Sequence, residues 1–485
     1  MQTLFKDIKR LMGEDRFLLV ALFVFTVAVF VRFYNIPDTT RFTRDESDVL
    51  RQIYDIYYHK HFTFIGPTDG TLTIIYPSLT LYLMLPFSIL GGFTPQSPAY
   101  ATAFFGVLAA LVLILITYKI NKKYLLWMVA LTSVWYPLIE SSRWAWNPHL
   151  IPFFSLLAVL FLLYDSSLLV LFSGLIFGAI FHLHYFSVVT FGAFLAFYTL
   201  CKLIKKDFKA PILLALGFFA MIVPFIIFDL RHPPGLFFTH FMQSNMVRTG
   251  FSQKLTNFFL TMPANSYLTS FYLTQTKIGA FLLFVLSFTL FGYDARKKPS
   301  NLVYFAPVVA QIAAISFLPV YGNRYFIPAL AFFVVWLIQG RGKFIRIFTK
   351  VILTVMLVGS LLALPKQLTQ PIREPAAGVV NDLSSFIQAS VEKEERKNLN
   401  IAVLASPDGD PFGIIYRHTL YTKGIDLLLE NQYAITDNLY VVTTSSEDVV
   451  RNDPANLIQD FRTGPLAESY QIPGSDWRVY LFNRY

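Results

Sequence analysis

The sequence predicts a polytopic α-helical membrane protein of about eleven transmembrane helices with a C-terminal extracytoplasmic α/β domain. Three observations predict it. The 485 residues are 55% hydrophobic and 14% charged, with a mean hydropathy of +0.52, whereas soluble proteins carry about 25% charged residues. Eleven apolar runs approach or reach the length of about 17–25 residues needed to cross ~30 Å of hydrocarbon. After Leu364 the composition turns polar: from Lys366 onward there are 11 basic and 16 acidic residues, against 29 and 14 before it. This balance excludes a soluble enzyme, a disordered chain and a nucleic-acid binder. The 50 Phe, 26 Tyr and 6 Trp residues suit a surface that meets lipid and headgroups.

The apolar runs cover 17–34, 98–118, 124–140, 149–164, 168–184, 186–201, 211–229, 277–293, 301–318, 324–340 and 345–364. The first is too long for a cleavable signal and no small-residue cleavage site follows it. Residues 76–92 form a weaker candidate, short and interrupted by Pro86. Charge bias decides against their crossing. With 76–92 lying in the interface, Lys6, Lys9, Arg10 and Arg16, the Lys119 group, the Lys202 to Lys209 cluster, Arg296 to Lys298 and Arg341 to Lys350 all share one side. That side is cytoplasmic, as is the N-terminus, and the C-terminus is external. Two long loops, 35–97 and 230–276, lie on the outer side, where long loops carry function. The single Cys201 lies in an apolar run and allows no disulfide within one chain.

Two domains follow, a transmembrane part over 1–365 that includes the outer loop 35–97 with interfacial helices, and a soluble part over 366–485. In the latter, the pattern predicts helices over 378–397, 411–423 and 448–461 and strands over 400–405, 439–444 and 478–483, a small α/β arrangement.

The first outer loop opens with Arg41-Phe42-Thr43-Arg44-Asp45-Glu46-Ser47-Asp48, followed by Val49, Ile53, Ile56 and Tyr57 at helical spacing. This is the pattern of an amphipathic helix on a membrane surface. Thr43 and Glu46 have capping-box spacing, and acids in a first turn favour the helix dipole, so a structural role accounts for them. The functional alternative is a carboxylate beside an apolar platform, where desolvation makes it basic enough to take a proton from an attacking hydroxyl.

An Asp-Glu pair shortly after the first span, at the head of an interfacial helix, resembles the GT-C glycosyltransferases that use polyprenyl-phosphate sugars, the protein O-mannosyltransferases and the lipid A aminoarabinose transferase. Three further stretches resemble that group. Residues 76–123 look like its interfacial helix and following span, Ser142-Arg143-Trp144-Ala145-Trp146-Asn147-Pro148 like its second outer-loop motif, and Asn323-Arg324-Tyr325-Phe326-Ile327-Pro328 like its late Arg-Tyr-x-x-Pro motif. The likeness covers about residues 1–365. It implies a GT-C-like membrane fold and an enzyme that moves one sugar, with inversion, from a polyprenyl-phosphate carrier to a protein, lipid or glycan acceptor on the outer face. Asp45 and Glu46 are then the catalytic residues, Asp45 as base and Glu46 as its neighbour and sugar ligand. Arg44, Arg143, Asn147, Arg231, Arg324 and Tyr325 are the substrate-binding candidates.

Arg143, Arg231 and Arg324 all stand at outer span ends. Guanidinium binds phosphate through two parallel bonds and stabilises the charge that grows as the sugar departs, so together they suit a phosphate clamp. Snorkelling to headgroups is the structural alternative. Asn147 departs from the group's pattern, which often has Asp there, and this weakens any metal site built on two acids. His149, His182 and His184 show no ligand spacing. No cofactor is therefore expected, a divalent metal being the minor alternative. Asp408-Gly409-Asp410 beside Pro407 and Pro411 is a turn signature rather than a nucleotide-sugar site. Trp144 and Trp146 could stack on sugars, but interfacial Trp is the commoner case. Two rival functions are a lipid-linked saccharide flippase or transporter, which should carry its charges mid-membrane, and a non-catalytic scaffold, which predicts nothing special of Asp45.

Overall fold

The computed structural model describes residues 15–68, 75–164, 166–233, 251–257, 277–297, 301–316, 323–340, 342–369, 375–404 and 410–485. The main helices in chain order are α1 (Asp15–Phe33), α2 (Arg44–Tyr58), α3 (Leu79–Leu90), α4 (Ser97–Ile120), α5 (Leu125–Val134), α6 (Ile151–Leu162), α7 (Ser167–Leu183), α8 (Ser187–Ile204) and α9 (Lys209–Arg231). There follow α10 (Lys277–Lys297), α11 (Leu302–Ile315), α12 (Ile327–Gln339), α13 (Lys343–Thr369) and α14 (Ala377–Glu394). The remainder alternates: β1 (Leu399–Val403), α15 (Ile414–Thr422), β2 (Asn438–Thr443), α16 (Asn456–Phe461), β3 (Thr463–Gln471) and β4 (Arg478–Arg484).

Among the described residues, the expected apolar runs fall on helix. Among the described residues, α4, α8, α9 and α13 are long and apolar enough to cross a membrane by themselves, and the other apolar helices are shorter. The run 124–140 is broken at Trp135, whose extended backbone separates α5 from a second helix, Tyr136–Ser141, that starts with Pro137 in its first turn. α3 has 12 residues, about 18 Å at ~1.5 Å per residue, well short of the hydrocarbon thickness.

The chain forms two compact units, and neither is a continuous segment. The expected single boundary near 365 therefore differs from what is seen. One unit comprises 1–34, 71–80 and 102–368; the other joins 35–70 and 81–101 to 369–485. The outer-loop helix α2 thus belongs with the C-terminal part.

Within the first unit, α7 and α9 approach closely because both carry glycine at the crossing. A Cβ on Gly174 would overlap the Leu214 carbonyl, and one on Gly217 the Leu171 carbonyl. Gly174 and Gly178 have the small-xxx-small spacing that lets helices in lipid gain by backbone contact what water cannot supply. His182 adds a bond from Nε2 to the Met221 carbonyl at 3.0 Å.

In the second unit, β1, β2, β4 and β3 lie side by side in that order; β1 runs parallel to β2, and the other neighbours are antiparallel. β1 and β2 read as near-continuous apolar runs because both faces of the sheet are covered. Leu439 and Val441 join a core with Ile458 and Phe461 of α16, while Tyr440, pointing the other way, bonds Ser390 of α14 at 2.9 Å. The helix expected over 448–461 is two pieces, Glu447–Arg451 and α16, because Pro454 has no N–H to continue the first. β3 was not expected. It is an edge strand with Pro465 near its start, two register shifts and only one fully buried residue, so its sequence lacks a clean apolar alternation.

Candidate functional site

The expected site residues fall in both units. In the second unit, Thr43 ends the extended chain and α2 begins at Arg44. The capping box is formed: the Glu46 carboxylate accepts from the Thr43 backbone N–H at 2.7 Å and from the Thr43 hydroxyl. Glu46 is 1% exposed. Its carboxylate therefore fixes the entry of the helix, while Asp45 is half-buried and Arg44 exposed in the same first turn. Val49, Ile53 and Ile56 are buried, as the spacing predicts, while Tyr57 is only half-buried and Leu50 joins the buried face instead. The polar side carries Arg51, which bridges Asp48 at 2.8 Å and Asp55 at 3.2 Å.

In the first unit, Arg143 lies in the turn after Tyr136–Ser141 and is 3% exposed. Its Nη1 donates to the Val31 carbonyl at 2.7 Å and reaches that of Arg32 at 3.5 Å. Those carbonyls belong to the last turn of α1, where no intrahelical donor is available and the helix dipole favours a cation. Burial lowers the Arg143 guanidinium to about 10, which leaves it charged at neutral pH. Asn147 plays a parallel part for α7, its Nδ2 donating to the Leu183 carbonyl at 2.6 Å. Between them Trp144 and Trp146 stack at 4.6 Å, and His149 sits edge-on to both while donating from Nδ1 to the Trp144 carbonyl at 3.0 Å. The two tryptophans face each other.

Asn323–Phe326 is a 3-10 turn ahead of α12. Arg324 sits in it, with its side chain outside the described residues. The Tyr325 ring meets His184 edge-on at 5.3 Å and Phe186 at 5.2 Å. Because Asn147 bonds Leu183, the residue before His184, the second and late motifs converge at the end of α7. Arg231 stands apart, exposed at the end of α9. His182 and His184 diverge, the first toward Met221 and the second stacking on Tyr76 at 5.9 Å. Among the described residues, no group of three or more His, Cys, Asp or Glu is placed to hold a metal ion. Asp410 accepts from the backbone N–H groups of Phe412 and Ile414 at the start of α15, and Asp408 and Gly409 lie outside the described residues.

Two polar residues were not read from the sequence. Arg32, in the last turn of α1, is fully buried and donates to the carbonyls of Ala28 at 3.1 Å and Thr132 at 2.9 Å. Its Nε has no partner among the described residues. Gln311 is the one amide within α11; it accepts from Thr190 and donates to the Tyr325 carbonyl, which ties the late motif to α8 and α11. A lone polar residue inside an apolar run was the available signal in both cases.

No family model matches the sequence, and no curated protein does either. Solved structures do. The structure of ArnT from Cupriavidus metallidurans in the apo state matches with a TM-score of 0.59 and 12% identity, covering 97% of this chain and 98% of that one. ArnT from the same organism bound to undecaprenyl phosphate matches with a TM-score of 0.56 and 11% identity over the same shares. ArnT is the lipid A aminoarabinose transferase, one of the group that the sequence motifs resemble. Over 97% of its length this chain has the fold of the ArnT membrane protein.

Proposed function

We propose that this chain is a membrane glycosyltransferase that moves a sugar from a polyprenyl-phosphate carrier to a protein, lipid or glycan acceptor on the outer face. The observation that carries this reading is the full-length fold likeness to ArnT, one of whose structures has undecaprenyl phosphate bound. A transporter reading leaves the outer-loop helix and the C-terminal sheet of this chain without a role.

In this reading Asp45 takes the proton of the acceptor hydroxyl, and the new bond forms on the face opposite the departing phosphate, with inversion. Glu46 holds the first turn of α2 through its capping box, so its contribution to the sugar is made by the geometry it imposes. Arg324, Arg143 and Arg231 supply positive charge for the phosphate, Tyr325 and Asn147 shape the donor side, and Arg44 stands on the exposed side of the Asp45 turn. Neutralising the phosphate makes it a good leaving group, so no general acid is required.

The topology proposed with this function has eleven spans, a cytoplasmic N-terminus and an extracytoplasmic C-terminal domain. Cysteines introduced at Lys122 and Lys205 should resist an impermeant thiol reagent, and one at Ser446 should react. Reaction at both Lys122 and Lys205, with protection at Ser446, would mean that α3 crosses. Mass spectrometry of envelope glycans, comparing cells with the parent gene, no gene and Asp45→Asn, tests the activity. Expected is a modification present only with the parent; glycans identical in all three strains reject the enzyme.

A further inference from the structure

The C-terminal domain holds the helix that carries Asp45, and one of its helices makes the hold. α15 is anchored to the sheet by Arg417, which donates to the carbonyls of Phe412 at 2.8 Å and Leu428 at 2.7 Å and to the Asn400 side chain on β1. The next residue faces α2: Nδ1 of His418 lies 3.0 Å from Oγ of Ser47, two residues after Asp45. Ser47 is fully buried. Farther along the same two helices, the Tyr421 hydroxyl donates to Asp55 at 2.8 Å, and its ring meets Tyr54 at 5.5 Å. Lys423 then reaches Ser385 of α14 at 3.1 Å. A rigid path thus runs from the sheet through α15 to both ends of α2.

A Ser–His pair invites a nucleophile reading, and the proton positions reject it. The Ser47 hydroxyl donates to the Arg44 carbonyl at 2.9 Å within its own helix. Its oxygen is then left to accept from Nδ1–H of His418, so the histidine gives a hydrogen bond and takes no proton. Burial keeps His418 at about 4, hence neutral at pH 7, with Arg51, Asp48, Arg44 and Asp55 as the charged groups around it. A neutral, singly protonated ring suits a fixed donor.

We propose that His418 is a positioning residue: through Ser47 it sets the first turn of α2 and thereby the aim of the Asp45 carboxylate. This rests on the reading of Asp45 as the base. The C-terminal domain is then part of the catalytic machinery and not an appended module. Replacing His418 by Leu removes the donor at similar volume, whereas Asn carries its amide nitrogen where Nδ1 stands.

The test uses the full-length protein. In cells lacking the native gene, His418→Leu should lower the glycan modification seen by mass spectrometry about tenfold to a hundredfold, the scale of a small misplacement of a reacting group, and His418→Asn should restore most of it. In purified protein, His418→Leu should quicken amide exchange over 44–50 and leave the affinity for undecaprenyl phosphate unchanged. Parent-like modification by His418→Leu, beside a silent Asp45→Asn, overturns the proposal. So does equal loss in the Leu and Asn variants with exchange over 44–50 unmoved. If Asp45→Asn itself transfers normally, the base reading fails and the aiming role falls with it, a result seen without any His418 variant. Should His418→Leu not accumulate in membranes, Ser47→Ala deletes the acceptor from the other side and carries the same expectations.

Discussion

Several polar groups of the two units are satisfied by different means, with the Thr190–Gln311 pair in the first and Arg417 on its carbonyls in the second following the other pattern. In the first, Arg32, Arg143, Asn147 and His182 all turn to backbone carbonyls, three of them at or near helix ends. In the second, side chains pair with side chains: Arg51 with Asp48 and Asp55, Ser47 with His418, Tyr421 with Asp55, Arg396 with Glu468. The reason is the composition of each part and the medium that composition suits. Where acids are scarce and hydrocarbon replaces water, the negative end of a helix is the available counter-charge. An arginine therefore carries different information in the two places: in the first unit, Arg143 caps the end of α1 before it is anything else.

That contrast can be broken by substitutions that separate activity from stability. The largest effect is expected at Asp45. Asp45→Asn should cut transfer on the order of a hundredfold to ten-thousandfold, the usual range for losing a general base, with the thermal unfolding of purified protein unchanged. Arg143→Met should do the converse, costing about 1.5–3 kcal/mol of stability by leaving the carbonyls of α1 without their charged donor. If Arg143→Met melts like the parent but no longer binds undecaprenyl phosphate, the cap account is wrong and Arg143 belongs to the clamp alone.

Arg324 sharpens the same distinction. As a phosphate ligand, Arg324→Ala should weaken undecaprenyl phosphate binding by about 2 kcal/mol, and Arg324→Lys should recover only part of it because one ammonium cannot reproduce the fork. An anchor that merely reaches headgroups would let Lys replace Arg without loss.

The smallest effect is a slope with pH, and it belongs to the second unit. Burial and, next, the Arg51 guanidinium hold His418 at about 4, below its ordinary value of 6.5. As pH falls through 6.5 the unfolded chain takes up a proton that the folded chain refuses until near 4, so the contribution is complete above about 6.5 and lost progressively toward 4. The parent should lose thermal stability over that interval more steeply than His418→Asn. Equal slopes would take the histidine out of the acid response.

Much of this arrangement was legible in the residues. Among the described residues the apolar runs fall on helix, and the Thr43–Glu46 box and the Val49, Ile53, Ile56 stripe formed as spacing dictates, because each depends on neighbours within one turn or two. What was not legible depends on distant partners. Ser47 and His418 are 371 positions apart, and neither stands out locally. Arg143 was open to reading as a snorkelling cation, and Arg32 went unread, because the carbonyls they meet belong largely to other helices. β3 escaped because an edge strand with register shifts needs no alternating pattern. The joining of 35–70 and 81–101 to the C-terminal part has no local signature at all, and only the fold reveals it.

The scattered composition of the second unit also sets a clock. A ribosome adding ~5–20 residues per second needs roughly 20–70 s to travel the 371 positions that separate Ser47 from His418. Throughout that interval α2 has left the translation machinery without the helix that will grip it. On this reading the enzyme is born idle. Its first outer loop must wait for almost the last part of the chain to be made and moved to its own side of the membrane, and transfer cannot begin on a nascent protein. A chain cut short by a premature stop should insert its early helices normally and still catalyse nothing, and added C-terminal segment, if it folds, should switch it on.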